Sequence, residues 1–375
     1  MSDSVIFDAI IVGGGPAGSA CATILGRAGL KILLCEKERF PREKICGDSI
    51  NPKVWRLLEL LGLDAKVRAE DLSIIDRIRV TNRKGISLSV PVKTHRQNPF
   101  FAIKRHVFDT LLLQHAKDCN VCVWERTRVL DIYRRDKWSV DVKRLDSGMT
   151  ETVTADFIIG ADGRNSFVAK KLSADTSKKS NHRRPRVGVQ WHTGYQAGLA
   201  SRLELFLMDS GYFGLVNVDQ NHANIAMVTT PELAQLAHAD FALFADTTLL
   251  KNSSFRESFS QIKPVGMILT SFPINPVTRH IRSKNAFLIG DARQTVEPFT
   301  GEGVYFALKD GINLARRLLQ LFNYEADFTF PQSHTCFGVN RVFSPILQKH
   351  GLADRSVWIG SRIPPLVTLT MRAVL

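Results

Sequence analysis

The chain changes hydrophobic period several times, and each change predicts an element. "FDAIIV", Phe7 to Val12, ends in a continuous apolar run, Ala9 to Val12, as expected of a strand buried on both faces. A glycine cluster follows, then "PAGSACATILGRAGL" with small and apolar residues, then a second apolar run, "KILLCE", that ends in acid. Together they predict a βαβ unit. Two later stretches repeat the strand-to-glycine step. "TADFIIGADGRNSFVAKKL" runs a strand into glycines, an acid and a helix. "NAFLIGDARQTVEPFTGEGVYFALKDGINLARRL" does so again, its strand ending at Gly290-Asp291 and its helix beginning near Gly301.

Between these segments the period drops to two. "LSIIDRIRVTNRKGISLSVPV" and the stretch from "RPRVGVQWHTG" to "NIAMVTT" alternate apolar and polar residues and carry turn residues, which predicts antiparallel strands of one sheet. Residues from about Pro231 to Ser260 read as helical, and those after Phe330 as short helices. The expected fold is α/β: a Rossmann-like nucleotide-binding domain from residues 1–70, 101–185 and 275–330, interleaved with an antiparallel β-sheet substrate domain from residues 71–100 and 186–274. A C-terminal helical segment, residues 331–375, follows.

The glycines give the first unit its chemistry. Gly13, Gly15 and Gly18 are spaced G-x-G-x-x-G between a strand and a helix opened by Pro16 and Ala17. The first permits a tight turn, the second lets backbone approach a pyrophosphate, and the third lets helix and strand pack closely. The helix N-terminus then meets the anion with free N–H groups. Glu36, with Lys37 beside it, closes the second strand where a carboxylate accepts the hydroxyls of an adenosine ribose. An ADP moiety is expected here, and both FAD and NAD carry one.

Composition narrows the partners. With 375 residues and 44% hydrophobic, the chain can bury the core of two or three domains. Fifty Lys+Arg against 36 Asp+Glu give a net charge of +14, which suits nucleic acid, anionic lipid, phosphorylated ligands or an acidic carrier protein. No aromatic interleaving or nucleic-acid fold signature accompanies the charge, so no nucleic-acid partner is expected. Basic residues concentrate in Lys170–Arg186, read first as a solvated loop and second as a contact for an acidic carrier protein or the membrane surface. The N-terminus has no basic leader, which points to a cytoplasmic protein. The apolar tail, too short for a bilayer, reads as buried or as a monotopic membrane contact. Cysteines 21, 35, 46, 119, 122 and 336 are scattered, as suits reduced thiols, and the C-x-x-C of Cys119 and Cys122 lacks a second pair, so no metal site is expected.

The three strand-to-glycine segments, in this order, resemble the fingerprints of the flavoprotein monooxygenase-like superfamily, which includes aromatic hydroxylases, flavin-dependent halogenases and geranylgeranyl reductases. The resemblance implies FAD on a flavin hydroxylase-like fold. It puts Asp162 and Gly163 of "GADGRNS" near the pyrophosphate, Gly290 and Asp291 of "GDARQTVEPFTGEG" at the ribityl chain, and Arg105 of "KRHVFDTLLLQHA" beside the phosphates or ribityl. The loop Pro298–Gly303 enters a helix, so its backbone donors, Gly301 and Gly303 included, could face the ring edge that becomes anionic on reduction. Pro298, Gly301 and Glu302 are therefore counted with Cys46 as candidate catalytic residues.

Three chemistries are common on this scaffold. Halogenases carry a W-x-W-x-I-P signature that "GYFGLVNVDQNH" lacks. Geranylgeranyl reductases have a loop similar to "FPREKICGDSINPKVWRLLELLGL", which carries Cys46 and Gly47 over to the flavin edge, but of their Y-x-W-x-F-P motif only Tyr212 survives. Hydroxylation demands no single residue beyond a water-poor pocket, with His106, His192 and His222 as candidate bases. The expected activity is an NAD(P)H-dependent flavin monooxygenase acting on a small hydrophobic or aromatic substrate, carrier- or lipid-linked substrates included. The alternatives are a reductase or dehydrogenase acting on carbon–carbon double bonds, a halogenase, and an electron-transfer flavoprotein.

Overall fold

The computed structural model describes residues 6–92, 97–173, 185–259, 262–321 and 350–362. Expectations about residues 322–349 and 363–375, and about 174–184 of the basic stretch, lie outside the described residues. The chain opens with β1 (Ile6–Val12), α1 (Pro16–Arg27), β2 (Ile32–Cys35), β3 (Ser49–Ile50), α2 (Val54–Leu61) and α3 (Asp64–Arg68). Next come β4 (Ser73–Ile75), β5 (Arg77–Thr81), β6 (Ser87–Pro91), β7 (Phe100–Ala102), α4 (Arg105–Asp118) and β8 (Cys122–Trp124). Then follow β9 (Thr127–Arg134), β10 (Trp138–Arg144), β11 (Thr150–Gly160), α5 (Phe167–Leu172), β12 (Val187–Gly194), β13 (Arg202–Met208), β14 (Gly211–Asn217) and β15 (His222–Thr229). The described chain closes with α6 (Pro231–Ala239), α7 (Phe241–Phe244), α8 (Ser253–Ser258), β16 (Val265–Ser271), β17 (Ala286–Leu288), α9 (Gly303–Leu321) and α10 (His350–Arg362).

The first sheet has the order β8-β2-β1-β11-β10-β9, with β17 also pairing β11. Strand β11 is long enough to serve two neighbourhoods. Its first half runs antiparallel to β10 and its second half parallel to β1 and β17. The apolar run of β1 has a structural cause: Ala9 and Ile11 pack with Cys21, Leu113 and Leu318 of α1, α4 and α9, while Ile10 and Val12 pack with Val140, Val142 and Val168 on the other side. A strand covered on both faces leaves no room for alternation.

The second sheet has the order β16-β12-β15-β14-β13-β5-β6. Its alternation sorts residues between two environments. Phe206, Phe213 and Ile225 pack against Phe244 and Phe255 of the helices α6 to α8, while Leu205, Leu207 and Tyr212 turn to a cavity shared with the first sheet. One expectation fails here: the segment 72–92 does not stay in one sheet. Strand β4 instead joins β3 and β7 in a three-stranded sheet. The chain changes sheets at Asp76, whose N–H donates to the Ser201 carbonyl and whose carbonyl accepts from Val92 N–H. Helix α10 docks on the β5–β6 hairpin through Arg83, which pairs with Asp354 and with Asp209. Among the described residues no helix is long and apolar enough to cross a membrane.

Candidate cofactor and substrate cavity

A cavity of about 930 Å³ lies between the two large sheets. At its nucleotide end, β1 turns into α1 through the glycines. A Cβ on Gly13, which has φ +107°, would sit 2.5 Å from the Ala161 carbonyl oxygen, and one on Gly18 would sit 2.0 Å from the Gly13 oxygen. Gly15 differs: the nearest atom to a Cβ there is an Arg42 guanidinium nitrogen, 3.6 Å away. Gly13, Gly15, Pro16 and Ala17 line the cavity, whereas Gly18 lies behind the wall and keeps helix and turn close. Glu36 is 5% exposed, its Oε2 accepting from Gly14 N–H at 2.7 Å and its Oε1 from Glu38 N–H at 2.9 Å. The carboxylate is thereby fixed in the wall next to Lys37, with further lone pairs available for hydroxyl donors.

Cations gather beside this turn. Arg105 forms a bidentate pair with Asp109, both bonds 2.8 Å, and Asp109 also takes Arg42 at 3.2 Å. Arg42, Lys44, Arg105 and Arg164 all line the cavity. Burial, with repulsion from Arg42 and Arg105, pulls the Lys44 ammonium below its ordinary pKa. The buried Nη1 atoms of Arg42 and Arg164 have no hydrogen-bond partner among the described residues. A glycine turn, a helix N-terminus and surplus buried guanidinium donors fit a diphosphate. The donor set therefore fits FAD.

The other predicted cofactor residues divide into wall and frame. Asp162, Gly163 and Asp291 border the cavity. Asp162 also holds the start of α5, accepting from Ser166 Oγ at 2.5 Å, Phe167 N–H at 2.6 Å and Val168 N–H at 3.1 Å, and burial raises its carboxyl. Gly290 lies outside the wall, its N–H donating to Asp310 at 3.2 Å.

Toward the second sheet, Pro298, Gly301 and Gly303 border the cavity. Glu302, expected among the catalytic groups, is 1% exposed and absent from the wall. Gly301 adopts φ +65°, and this reversal presents the loop's backbone to the cavity rather than the carboxylate. Glu297, 0% exposed, accepts from Arg186 at 2.8 and 3.1 Å and from the Tyr212 hydroxyl at 2.8 Å. Burial, and after it the Glu297 charge, pushes the Tyr212 phenol well above its ordinary value.

Cys46 and Gly47 line the cavity. The Cys46 N–H donates to Gln190 Oε1 at 3.0 Å, and its carbonyl accepts from Asn224 Nδ2 at 3.0 Å. The thiol opens into the cavity but is ringed by protein, and desolvation raises its pKa against the pull of Arg105. None of the three candidate histidines reaches the cavity wall. His192 binds Asp48 at 2.8 Å, His222 binds Asp219 at 3.0 Å, and His106 lies 3.1 Å from Glu43. Among the described residues that the second sheet contributes to the wall, Tyr212 is the one ionisable side chain. Sequence reading missed Gln190 and Asn224 as loop anchors. Their signal was polar residues at cavity-facing positions of otherwise apolar strands.

The FAD binding domain family model matches residues 7–330. The menaquinone reductase of Mycolicibacterium smegmatis is 28% identical over 337 residues, covering 83% of this chain and 76% of that protein. The flavin-dependent halogenase armH1 of Armillaria mellea is 23% identical over 339 residues, covering 82% of this chain but only 63% of that longer protein. Among solved structures, PqsL of Pseudomonas aeruginosa, described as a probable FAD-dependent monooxygenase, shares the fold with a TM-score of 0.73 at 19% identity, covering 93% of this chain and 100% of that one.

Proposed function

Because the chain belongs to the FAD binding domain family, we propose that this FAD-dependent oxidoreductase reduces a carbon–carbon double bond in a hydrophobic, isoprenoid-like substrate. The observation that carries the reading is the make-up of the cavity's sheet side: an apolar surface, the Cys46 thiol at its border, and, among the described residues that the second sheet contributes, no histidine or carboxylate. Gly13, Gly15, the α1 N-terminus, Arg42 and Arg164 would hold the diphosphate, Glu36 the adenosine ribose and Asp291 the ribityl chain. When bound, FAD supplies hydride, for which NAD(P)H is the transient source.

The protein's own part is a proton and a dry surface. Saturating a double bond takes a hydride on one carbon and a proton on the other. Cys46 keeps its proton at Sγ because desolvation disfavours the thiolate, and Arg105, which pulls the other way, stabilises the thiolate left after donation. Solvent then returns the proton. Leu205, Leu207, Leu88 and Val90 exclude water from the substrate. The menaquinone reductase relative, whose name concerns a prenylated quinone, supports the same substrate class.

Monooxygenation of a hydrophobic or aromatic substrate is the second reading, favoured by the same water-poor surface. It is weakened for phenols because His106, His192 and His222 are all absent from the wall. Halogenation is disfavoured by the missing tryptophan pair of the W-x-W-x-I-P signature in "GYFGLVNVDQNH".

The test is anaerobic. Holoprotein reduced with NADPH under argon is mixed with menaquinone as the probe, and the expected outcome is flavin reoxidation without oxygen and a product still heavier by two hydrogens after chemical reoxidation of its ring to the quinone, which separates a saturated side-chain double bond from simple quinol formation. Cys46→Ser should slow that step while leaving reduction by NADPH unchanged. A reduced flavin that ignores the quinone, but in air yields a product carrying one added oxygen atom, would replace the reductase reading with the oxygenase one.

A further inference from the structure

The cavity-facing side of β12 and β15 is apolar at one end and polar at the other. Gly188, Gln190 and His192 share one face of β12, and Asn224, Ala226 and Val228 share the matching face of β15. The register sets Gln190 opposite Ala226 and His192 opposite Asn224. Gln190 and Asn224 are each 1% exposed. Buried amides in a sheet are destabilising unless hydrogen-bonded, and both of these bond the same residue from opposite sides. Gln190 Oε1 accepts from Cys46 N–H, and Asn224 Nδ2 donates to the Cys46 carbonyl, each at 3.0 Å.

Two residues on, His192 Nε2 lies 2.8 Å from Asp48 Oδ2. Asp48 is 0% exposed and has φ +56°, a conformation that a non-glycine residue keeps only where its surroundings impose it. Its Oδ1 has no partner among the described residues, so His192 is the side chain that holds this carboxyl. Three polar side chains on one patch of sheet thus meet two loop residues, Cys46 and Asp48, that flank Gly47.

We propose that Gln190, His192 and Asn224 form a clasp that sets the Cys46 thiol against the cofactor-facing wall. They are positioning residues, acting through the loop backbone on either side of the thiol. The functional meaning of the clasp rests on the reading of Cys46 as proton donor, but its geometry and its test do not.

The test uses FAD-loaded full-length protein and alkylation by iodoacetamide, followed cysteine by cysteine with peptide mass spectrometry. Cys21 and Cys35, 0% and 1% exposed, report global opening in the same sample. In Asn224→Leu and in Gln190→Leu, Cys46 alkylation is expected to rise about tenfold, the factor that loss of one net hydrogen bond allows, while Cys21 and Cys35 stay protected. His192→Asn, which keeps a polar group on the patch, should give a smaller rise at Cys46 alone. An unchanged Cys46 rate overturns the clasp. So does a rise shared by all three thiols in every variant, because the patch would then be part of general stability. If Cys46→Ser retains full reductase activity while the alkylation pattern is as expected, the proton-donor role fails and the clasp stands.

Discussion

The two ends of the cavity are built differently. At the nucleotide end, backbone geometry and charge define the wall: the Gly13–Gly18 turn, the α1 N-terminus, and guanidinium groups paired through Asp109. At the sheet end the wall is a set of apolar side chains, and the polar groups around it act on the loops that border it. Gln190 and Asn224 hold Cys46, and Glu297 ties Arg186 and Tyr212 beneath the Pro298 turn. The first design suits a diphosphate, as proposed above; the second shapes a space and places a few atoms at its edge.

The contrast predicts different failures. At the nucleotide end there is no slack: a Cβ on Gly18 would lie 2.0 Å from the Gly13 carbonyl, a backbone atom of the turn itself. Gly18→Ala should therefore abolish FAD retention through purification, read as loss of flavin absorbance in otherwise soluble protein. Normal FAD content in that variant would mean that the turn can shift, and that its geometry is not what holds the anion. At the sheet end the largest effect should come from Glu297→Ala. It strips a buried carboxylate from Arg186, 17% exposed, and from the Tyr212 hydroxyl. Removing one partner of a buried pair costs about 3–5 kcal/mol, to be measured by urea unfolding, with FAD affinity falling as the Pro298 turn loosens. A cost below about 1 kcal/mol would class the pair with exposed ion pairs.

The same contrast explains what the sequence disclosed. The turn from β1 into α1 through Gly13, Gly15 and Gly18 was legible because a backbone turn demands particular residues at fixed spacing over one short stretch. The continuous apolar run of β1 and the alternation of β13 and β14 were legible because burial on two faces or one leaves its own period. The departure of β4 at Asp76 was not, since it depends on pairing with Ser201 and Val92, which no local pattern encodes. Glu302 shows a related limit: the motif around it fixes where the backbone goes, while the fold sets its carboxylate off the cavity wall. Gln190, Asn224 and Asp48 meet only after the fold brings distant segments together. Cys46 could therefore be noticed as a loop residue without any view of what holds it.

The smallest effect concerns the seam between the two ends. Lys104, at the start of α4, reaches across to Asp219, in the turn between β14 and β15, at 2.8 Å. Burial alone would raise this carboxyl, but hydrogen bonds from Lys104, the Asn221 N–H and His222 outweigh it and hold the pKa at about 2, below the ordinary 3.8. A carboxyl depressed by folding stabilises the protein above its unfolded pKa and loses that contribution as pH falls through the folded one. Discounted for the solvent that screens this partly exposed pair, the seam should contribute about 1 kcal/mol at neutral pH, fading between about pH 4 and pH 2. Asp219→Asn should lower stability by that amount at neutral pH and converge with the parent protein near pH 2, in urea titrations compared pH by pH. A gap that stays constant with pH would mean that the asparagine disturbs the turn itself and that the ion pair does not join the two ends.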